Sequence, residues 1–315
     1  MIISTILFVL GLILIVKGGD YFIESSIEIA KISKLPKILI GATIVSIATT
    51  APEAVVSITA SFKNYTQMSV GNSIGSIICN TGLILGITAI ISPTKVKGNF
   101  TKLKSLMLIL FFIIFLKLSF DRTINYSDAW ILLILLIIYI LFDLLVIMHK
   151  KNKPMKDHEI IYSKKNYIKI ILLFIIGIVG IFIGSNLLIN NGIVIATFIG
   201  IPEAVISLTL IALGTSLPEL TTALTALKKG HSSLSIGNII GANILNISLV
   251  LGASGFLNDL NISIQNIYLD FVIAFILILI LTLTCIFRGK VNRLVGFLLF
   301  LIYMIYLFIL YYIYF

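Results

Sequence analysis

The chain has 315 residues, of which 59% are apolar and only 11% are charged. Soluble domains are about 45–50% apolar and about 25% charged, and the mean hydropathy here is +1.15. These values exclude a water-soluble globule, and with it a soluble enzyme, a nucleic-acid-binding protein or a disordered chain. We predict an all-α integral membrane protein in contact with lipid, so the net charge of +10 has to be interpreted loop by loop.

Ten apolar segments follow one another along the chain. About 20 apolar residues are enough to span the hydrocarbon core as a helix. The first segment lacks a preceding Lys or Arg and a small-residue cleavage site, so it is predicted to be a retained helix and not a signal peptide. The predicted transmembrane helices are 2–17, 36–61, 68–91, 103–120, 127–148, 167–189, 201–227, 233–256, 265–287 and 291–314.

The basic residues predict the orientation in the membrane. An even number of helices puts both termini on one side, and Lys and Arg concentrate in cytoplasmic loops. With both termini outside, all but three of the 23 basic residues lie in predicted cytoplasmic loops; the exceptions are Lys63, Lys117 and Arg122. This distribution predicts a multi-pass protein of the cytoplasmic membrane with extracellular termini.

The two halves of the chain are related by an internal repeat at a constant offset of 166 residues. Residues 71–86 read GNSIGSIICNTGLILG and residues 237–252 read GNIIGANILNISLVLG, with 9 identities in 16 positions. Repeats of five helices, at 1–148 and 167–315, are separated by a polar cytoplasmic linker at 149–166. Because five is odd, the second repeat is predicted to be inverted, an arrangement typical of secondary transporters with a site at the repeat interface. Other equivalent pairs are Gly11 and Gly177, Gly18 and Gly184, Pro36 and Pro202, Pro52 and Pro218, and Lys63 and Lys229.

Two glutamates at equivalent positions are the leading functional candidates. Glu53 and Glu219 lie deep in predicted helices, where charges are costly and usually functional. Each follows a proline in a hydroxyl-rich segment, SIATTAPE at 46–53 and ALGTSLPE at 212–219. Proline removes a helical hydrogen bond and frees a carbonyl about four residues earlier. Carboxylates, hydroxyls and free carbonyls together form the hard-oxygen environment that Ca²⁺ or Na⁺ prefers.

The third and eighth predicted helices add asparagines on one face. Asn72, Ser76 and Asn80 are spaced by four, and Asn238, Ala242 and Asn246 occupy the equivalent positions. With only two carboxylates, the predicted site has a charge near −2, which one Ca²⁺, two Na⁺ or two H⁺ would balance. Two neighbouring carboxylates repel each other, so protons are expected to compete with the metal.

Some of these residues have a simpler interpretation that the sequence leaves open. Ser and Thr hydroxyls within a helix often bond back to a carbonyl of the preceding turn. Asn80 and Asn246 could equally join helices through hydrogen bonds. Asp143, Asp270 and Glu203 lie near predicted helix ends and are interpreted as interfacial.

The doubled motif, with GTSLPE at 214–219 and GNxxG at 71–75 and 237–241, resembles the Ca²⁺/cation antiporter superfamily, most closely its prokaryotic sodium/calcium exchanger-like branch. The resemblance covers nearly the whole chain. It implies an antiporter without catalytic residues or cofactors, which transports Ca²⁺ and Na⁺ and has no evident protein partner. It also implies cation ligation by Glu53 and Glu219, by the side chains of Thr49, Thr50, Thr215, Ser216, Ser76 and Asn80, and by the backbone carbonyls of Ser46 and Ala212.

Two departures from the family pattern affect the coupling ion. Asn246, also a candidate ligand, replaces an aspartate, and Ala242 replaces a serine. Losing an acid and a hydroxyl removes sodium ligands but leaves both glutamates for Ca²⁺. The resemblance implies Ca²⁺/Na⁺ exchange by alternating access, and the replacement of the aspartate by Asn246 favours the alternative, Ca²⁺/H⁺ exchange.

Two other classes of membrane protein fit the sequence less well. An intramembrane protease would need a Ser–His pair or two catalytic aspartates, whereas no His lies in a predicted span. A passive channel with two charges at a closed site would hold its ion too tightly for fast conduction. Cys79 and Cys285 lie in apolar segments and predict neither a disulfide nor a metal site.

Overall fold

The first repeat is mainly helical in its described part. The computed structural model describes residues 2–32, 45–96, 98–150, 164–228 and 232–314. The start of the predicted second helix and most of the predicted linker lie outside these ranges. The helices of the first half are α1 (Ile2–Ile32), α2 (Val45–Thr49), α3 (Ala51–Phe62), α4 (Thr66–Ile91), α5 (Gly98–Leu118) and α6 (Tyr126–Lys150).

The second repeat follows the same order. Helix α8 consists of Glu203–Ile206, a π turn at Ser207–Ile211, and Ala212–Thr215. Helix α10 consists of Ser232–Leu245, a π turn at Asn246–Val250, and Leu251–Leu257. The helices of the second half are α7 (Lys164–Ile199), α8 (203–215), α9 (Leu217–Lys228), α10 (232–257), α11 (Asn266–Arg288) and α12 (Arg293–Tyr314). Among the described residues, nine helices are long and apolar enough to cross a membrane.

The first helix is longer than the sequence predicts. The apolar run ends near residue 17, but α1 continues to Ile32, so Glu24 and Glu28 belong to this helix and not to a loop. Residues 17–32 contain no proline, so the backbone hydrogen bonds of the helix can continue beyond the end of the apolar run.

Two short ladders join the loops of the two halves. Strand β1 (Thr94–Lys95) pairs antiparallel with β4 (Lys290–Val291), and β2 (Thr123–Ile124) pairs antiparallel with β3 (Leu260–Asn261). β1 and β3 are repeat equivalents, and β1 and β2 flank the two ends of α5. Equivalent loops therefore lie at opposite ends of the bundle. Two-residue strands were not expected, because they are too short to produce an alternating pattern.

Glycines allow α1 and α7 to cross at backbone contact. A Cβ added to Gly11 would lie 2.9 Å from the carbonyl oxygen of Gly184, and one added to Gly18 would lie 2.9 Å from that of Gly177. The lower-numbered glycine of one helix meets the higher-numbered glycine of the other, so the helices run antiparallel. Small residues at such crossings let membrane helices approach closely.

The centre of the molecule is formed by α4 and α10. The most apolar windows of these two helices are 78% and 83% buried within the protein, against 28% for α1, α6 and α7. Both central helices contain a π turn at equivalent positions, Cys79–Ile84 and Asn246–Val250. Single π turns within α-helices are frequent at functional sites.

The interpretation of Asp143 and Asp270 as interfacial residues is wrong, because both are buried within the protein. Asp143 forms an ion pair of 2.8 Å with the buried Lys104 Nζ. Asp270 accepts hydrogen bonds of 2.9 Å from Tyr306 Oη and Asn266 Nδ2. Position relative to a helix end does not reveal that neighbouring helices cover a side chain.

We predict that Gly184→Ala destabilises the protein by about 1–3 kcal/mol, the usual cost of overpacking a tight contact. The new methyl group would lie 2.8 Å from the Gly11 carbonyl oxygen, a backbone atom. Thermal unfolding in detergent measures the effect. Gly192→Ala on the same helix is the matched control, since its nearest neighbour is the Phe8 ring at 3.4 Å. Equal midpoints for the two variants would contradict the close crossing.

Candidate cation site

Two interrupted helices bring Glu53 and Glu219 into the protein interior. The helices are interrupted for one residue, at Thr50 (φ −80°, ψ −3°) and at Ser216 (φ −84°, ψ 4°), although each backbone N–H still donates to the carbonyl four residues earlier. Pro52 and Pro218 lie in the first turns of α3 and α9, where a missing N–H is tolerated. In both halves of the chain, therefore, a proline follows a one-residue interruption of the helix.

The two carboxylates are fully buried and have few partners. Glu53 Oε1 accepts a hydrogen bond of 3.1 Å from Ser216 Oγ. Glu53 Oε2 and both carboxylate oxygens of Glu219 have no hydrogen-bond partner among the described residues. The side chains of Thr49 and Thr50 lie next to Glu219, so each carboxylate faces hydroxyl groups of the other repeat. Buried carboxylates without partners are costly unless a cation compensates them.

The central helices add further unpaired oxygens. Ser76 Oγ, Asn80 Oδ1 and Asn246 Oδ1 are buried and lack partners among the described residues, as does Thr50 Oγ1. The π turn that contains Asn80 packs against α9, which carries Glu219. The π turn that contains Asn246 packs against α3, which carries Glu53. Six of the predicted ligands therefore retain an unpaired polar atom: Thr50, Glu53, Ser76, Asn80, Glu219 and Asn246.

Other predicted ligands already form hydrogen bonds. Thr49 Oγ1 donates to the Ser46 carbonyl at 3.2 Å, and Thr215 Oγ1 donates to the Ala212 carbonyl at 3.2 Å. The same carbonyls accept from the backbone N–H of Thr50 and of Ser216, both at 3.0 Å. A cation would have to compete with these donors for the Ser46 and Ala212 oxygens.

Asparagines tie the interrupted helices to the central pair. Asn72 Nδ2 donates to the Glu53 carbonyl at 3.2 Å. Asn72 Oδ1 lies 3.2 Å from Thr215 Oγ1 and shares the one hydroxyl hydrogen of Thr215 with the Ala212 carbonyl. In the other repeat, Asn238 Oδ1 accepts from Ser46 Oγ at 3.0 Å. These bonds hold the segments before and after the first interruption, and the segment before the second, against α4 and α10.

Two polar residues of this network were not predicted. Asn243 Oδ1 accepts from Asn80 Nδ2 at 3.3 Å, and Asn243 Nδ2 donates to Thr81 Oγ1 at 2.7 Å. Asn243 does not belong to the series Asn238, Ala242 and Asn246, whose members are four residues apart. Its repeat equivalent is the apolar Ile77. The repeat comparison therefore gave no signal for it.

The site has few formal charges. No group of three or more His, Cys, Asp or Glu residues occurs in the part of the chain that the structure describes. The unpaired atoms of the predicted ligands belong to two carboxylates and to neutral hydroxyl and amide groups. Such a set of oxygens can compensate a hard cation such as Ca²⁺ or Na⁺.

Comparison with known proteins gives the family. Residues 3–145 and 169–312 match the family described as sodium/calcium exchanger protein. An uncharacterised membrane protein of Methanocaldococcus jannaschii is 38% identical over 243 residues, covering 76% of this chain and 77% of that protein. The sodium/calcium exchanger MaX1 of Methanosarcina acetivorans is 30% identical over 302 residues, covering 84% of this chain and 86% of the relative.

A solved structure extends the likeness to three dimensions. The sodium–calcium exchanger NCX_Mj, in crystals soaked with Na⁺ and Ca²⁺, is 34% identical, and the alignment covers 98% of both chains with a TM-score of 0.69. The match of the family over both repeats and this likeness over the full length agree. The chain is a membrane transporter, and it belongs to the sodium/calcium exchanger family in the prokaryotic branch of the Ca²⁺/cation antiporter superfamily.

Proposed function

We propose that this protein is a secondary active antiporter that exchanges Ca²⁺ for Na⁺ across the cytoplasmic membrane by alternating access. The observation that carries the proposal is the pair of fully buried glutamates, three of whose four carboxylate oxygens have no partner among the described residues. The names of MaX1 and NCX_Mj as sodium/calcium exchangers support this substrate pair.

The proposed cation site lies between the repeats near the membrane midplane. Glu53 and Glu219 are its charged ligands, one from each repeat. Their combined charge of −2 is balanced by one Ca²⁺ or by two Na⁺, so the two kinds of ion compete for one site. The other proposed ligands are the side chains of Thr49, Thr50, Thr215, Ser216, Ser76, Asn80 and Asn246 and the carbonyls of Ser46 and Ala212.

The proposed topology has ten transmembrane helices in two inverted five-helix repeats, 1–148 and 167–315, joined by a cytoplasmic linker at 149–166. Nine of these are the long apolar helices described above, and the remaining one is the interrupted pair α2 and α3. This pair is the repeat equivalent of α8 and α9. Two observations support the inversion: equivalent loops lie at opposite ends of the bundle, and α1 and α7 cross antiparallel. Both termini are then extracellular.

The proposed alternation involves α1 and α7 moving against the central helices. α1 passes over both helix interruptions, because a Cβ on Gly19 would lie 3.6 Å from the Pro52 ring and 3.5 Å from the Pro218 ring. A movement of α1 therefore changes the packing at both halves of the site at once. The proposed direction is Ca²⁺ export against Na⁺ entry.

A Ca²⁺/H⁺ antiporter that uses the same two glutamates is the second candidate. Asn246 favours it: this residue replaces a family aspartate, and neither its Oδ1 nor its Nδ2 has a partner among the described residues. A site with two carboxylates and neutral amides has fewer ligands for Na⁺, whereas two protons neutralise it fully.

Transport driven by defined gradients separates the two candidates. We expect Ca²⁺ uptake into proteoliposomes of purified protein when an outward Na⁺ gradient is applied at clamped voltage. An outward H⁺ gradient alone should drive no uptake. Uptake with H⁺ alone would replace the first candidate by the second, and a failure of both gradients to drive Ca²⁺ uptake would contradict both.

We predict that Glu53→Gln and Glu219→Gln each reduce Ca²⁺ transport by at least about tenfold, as expected when a metal site loses a charged ligand. Initial rates of ⁴⁵Ca²⁺ uptake at equal protein density measure the effect. Glu203→Gln, a partly exposed carboxylate at the start of α8, is the matched control and should transport normally. Full transport by either site variant would remove that glutamate from the proposed site.

A further inference from the structure

The two equivalent asparagines of the central helices have different surroundings. Asn80 donates from Nδ2 to Asn243 Oδ1, which leaves its own Oδ1 as the unpaired atom. Asn246 has no partner at either amide atom among the described residues. The difference arises because Asn243 of the second repeat corresponds to the apolar Ile77 in the first.

The hydrogen bond from Asn80 to Asn243 fixes which end of the amide is available. An asparagine amide presents one acceptor oxygen and one donor NH₂ group. A cation binds only the oxygen, so rotation by 180° about χ2 would place the NH₂ group, a repelling dipole, in its place. Asn243 opposes that rotation because its acceptor atom already receives the Asn80 NH₂ group.

Asn243 has a partner at each end of its amide. Its Nδ2 donates to Thr81 Oγ1 at 2.7 Å, and its Oδ1 accepts from Asn80 Nδ2 at 3.3 Å. All three side chains are buried. Two hydrogen bonds, Asn80 to Asn243 and Asn243 to Thr81, join α4 to α10. They use both ends of the Asn243 amide, so its oxygen is not among the unpaired oxygens.

We propose that Asn243 is a positioning residue for the cation site: it holds the Asn80 amide with its oxygen free for the ion. This inference rests on the proposed function, because it requires Asn80 to bind the transported cation. It makes the site functionally asymmetric, with a preoriented amide at Asn80 and, at Asn246, an amide that has no hydrogen-bond partner among the described residues. Partners of metal ligands that fix ligand orientation are typically worth about 10–100-fold in metal affinity.

A double-mutant cycle tests the proposal. Ca²⁺ affinity is measured by isothermal titration calorimetry on the purified protein in detergent. Asn243→Leu, which keeps the side-chain shape and removes both hydrogen bonds, should weaken Ca²⁺ binding by about tenfold. In an Asn80→Ala background the same substitution should have almost no further effect, whereas in an Asn246→Ala background it should again cost about tenfold.

The outcomes distinguish this proposal from a structural role and from failure of the site itself. Equal losses of Ca²⁺ affinity on Asn243→Leu in the wild-type, Asn80→Ala and Asn246→Ala backgrounds would overturn the positioning role alone. So would an unchanged affinity in Asn243→Leu if Asn80→Ala binds Ca²⁺ weakly. Unchanged affinity in Asn80→Ala would remove Asn80 from the site and overturn the proposal for that reason. If Asn243→Leu does not fold, Thr81→Val tests the same two hydrogen bonds. We expect it to weaken Ca²⁺ binding by less than about tenfold, and we expect this effect to disappear in the Asn80→Ala background. An effect of Thr81→Val that persists in that background would overturn the positioning role.

Discussion

Two like charges buried at the contact between the repeats are the constraint on which the rest of the structure depends. Glu53 and Glu219 are out of contact with solvent, and three of their four carboxylate oxygens have no partner among the described residues. A bound cation or protonation can compensate such a pair, and the proposed function assigns this role to the transported cation. A permanent Lys or Arg partner would stabilise the fold but would abolish transport. Lys104 and Asp143 show that contrast, since this buried acid has a fixed cation at 2.8 Å.

The backbone around the glutamates is organised to expose oxygens. Interruptions at Thr50 and Ser216 place hydroxyl groups against the carboxylate of the other repeat. The π turns at Cys79–Ile84 and Asn246–Val250 interrupt the regular ladder of the central helices where Asn80 and Asn246 lie. Interrupted helices at the repeat interface are the usual way in which membrane transporters form ion sites. In the proposed site, each repeat supplies one half, and the Asn243/Ile77 difference makes the two halves unequal.

Much of this arrangement could be predicted from the sequence because the repeat doubles every signal. A single Glu after a proline is weak evidence, whereas Glu53 and Glu219 at a constant offset, each in a hydroxyl-rich segment, indicate one site with two halves. The same comparison could not find Asn243, whose equivalent is Ile77. The burial of Asp143 and Asp270, the π turns and the two-residue ladders depend on contacts between distant segments. Hydropathy along the chain does not report such contacts. It also predicted an end of α1 near residue 17, because a helix can continue beyond its apolar run.

Thermal unfolding as a function of Ca²⁺ concentration tests the central claim most directly, without depending on the coupling ion. A ligand that binds only the folded state raises the midpoint progressively with concentration. We predict this rise for the wild-type protein and no Ca²⁺ response for the Glu53→Gln/Glu219→Gln double variant. In ion-free buffer the double variant should be at least as stable as the wild type, because it lacks the uncompensated charges. Equal stabilisation of both proteins by Ca²⁺ would contradict the account.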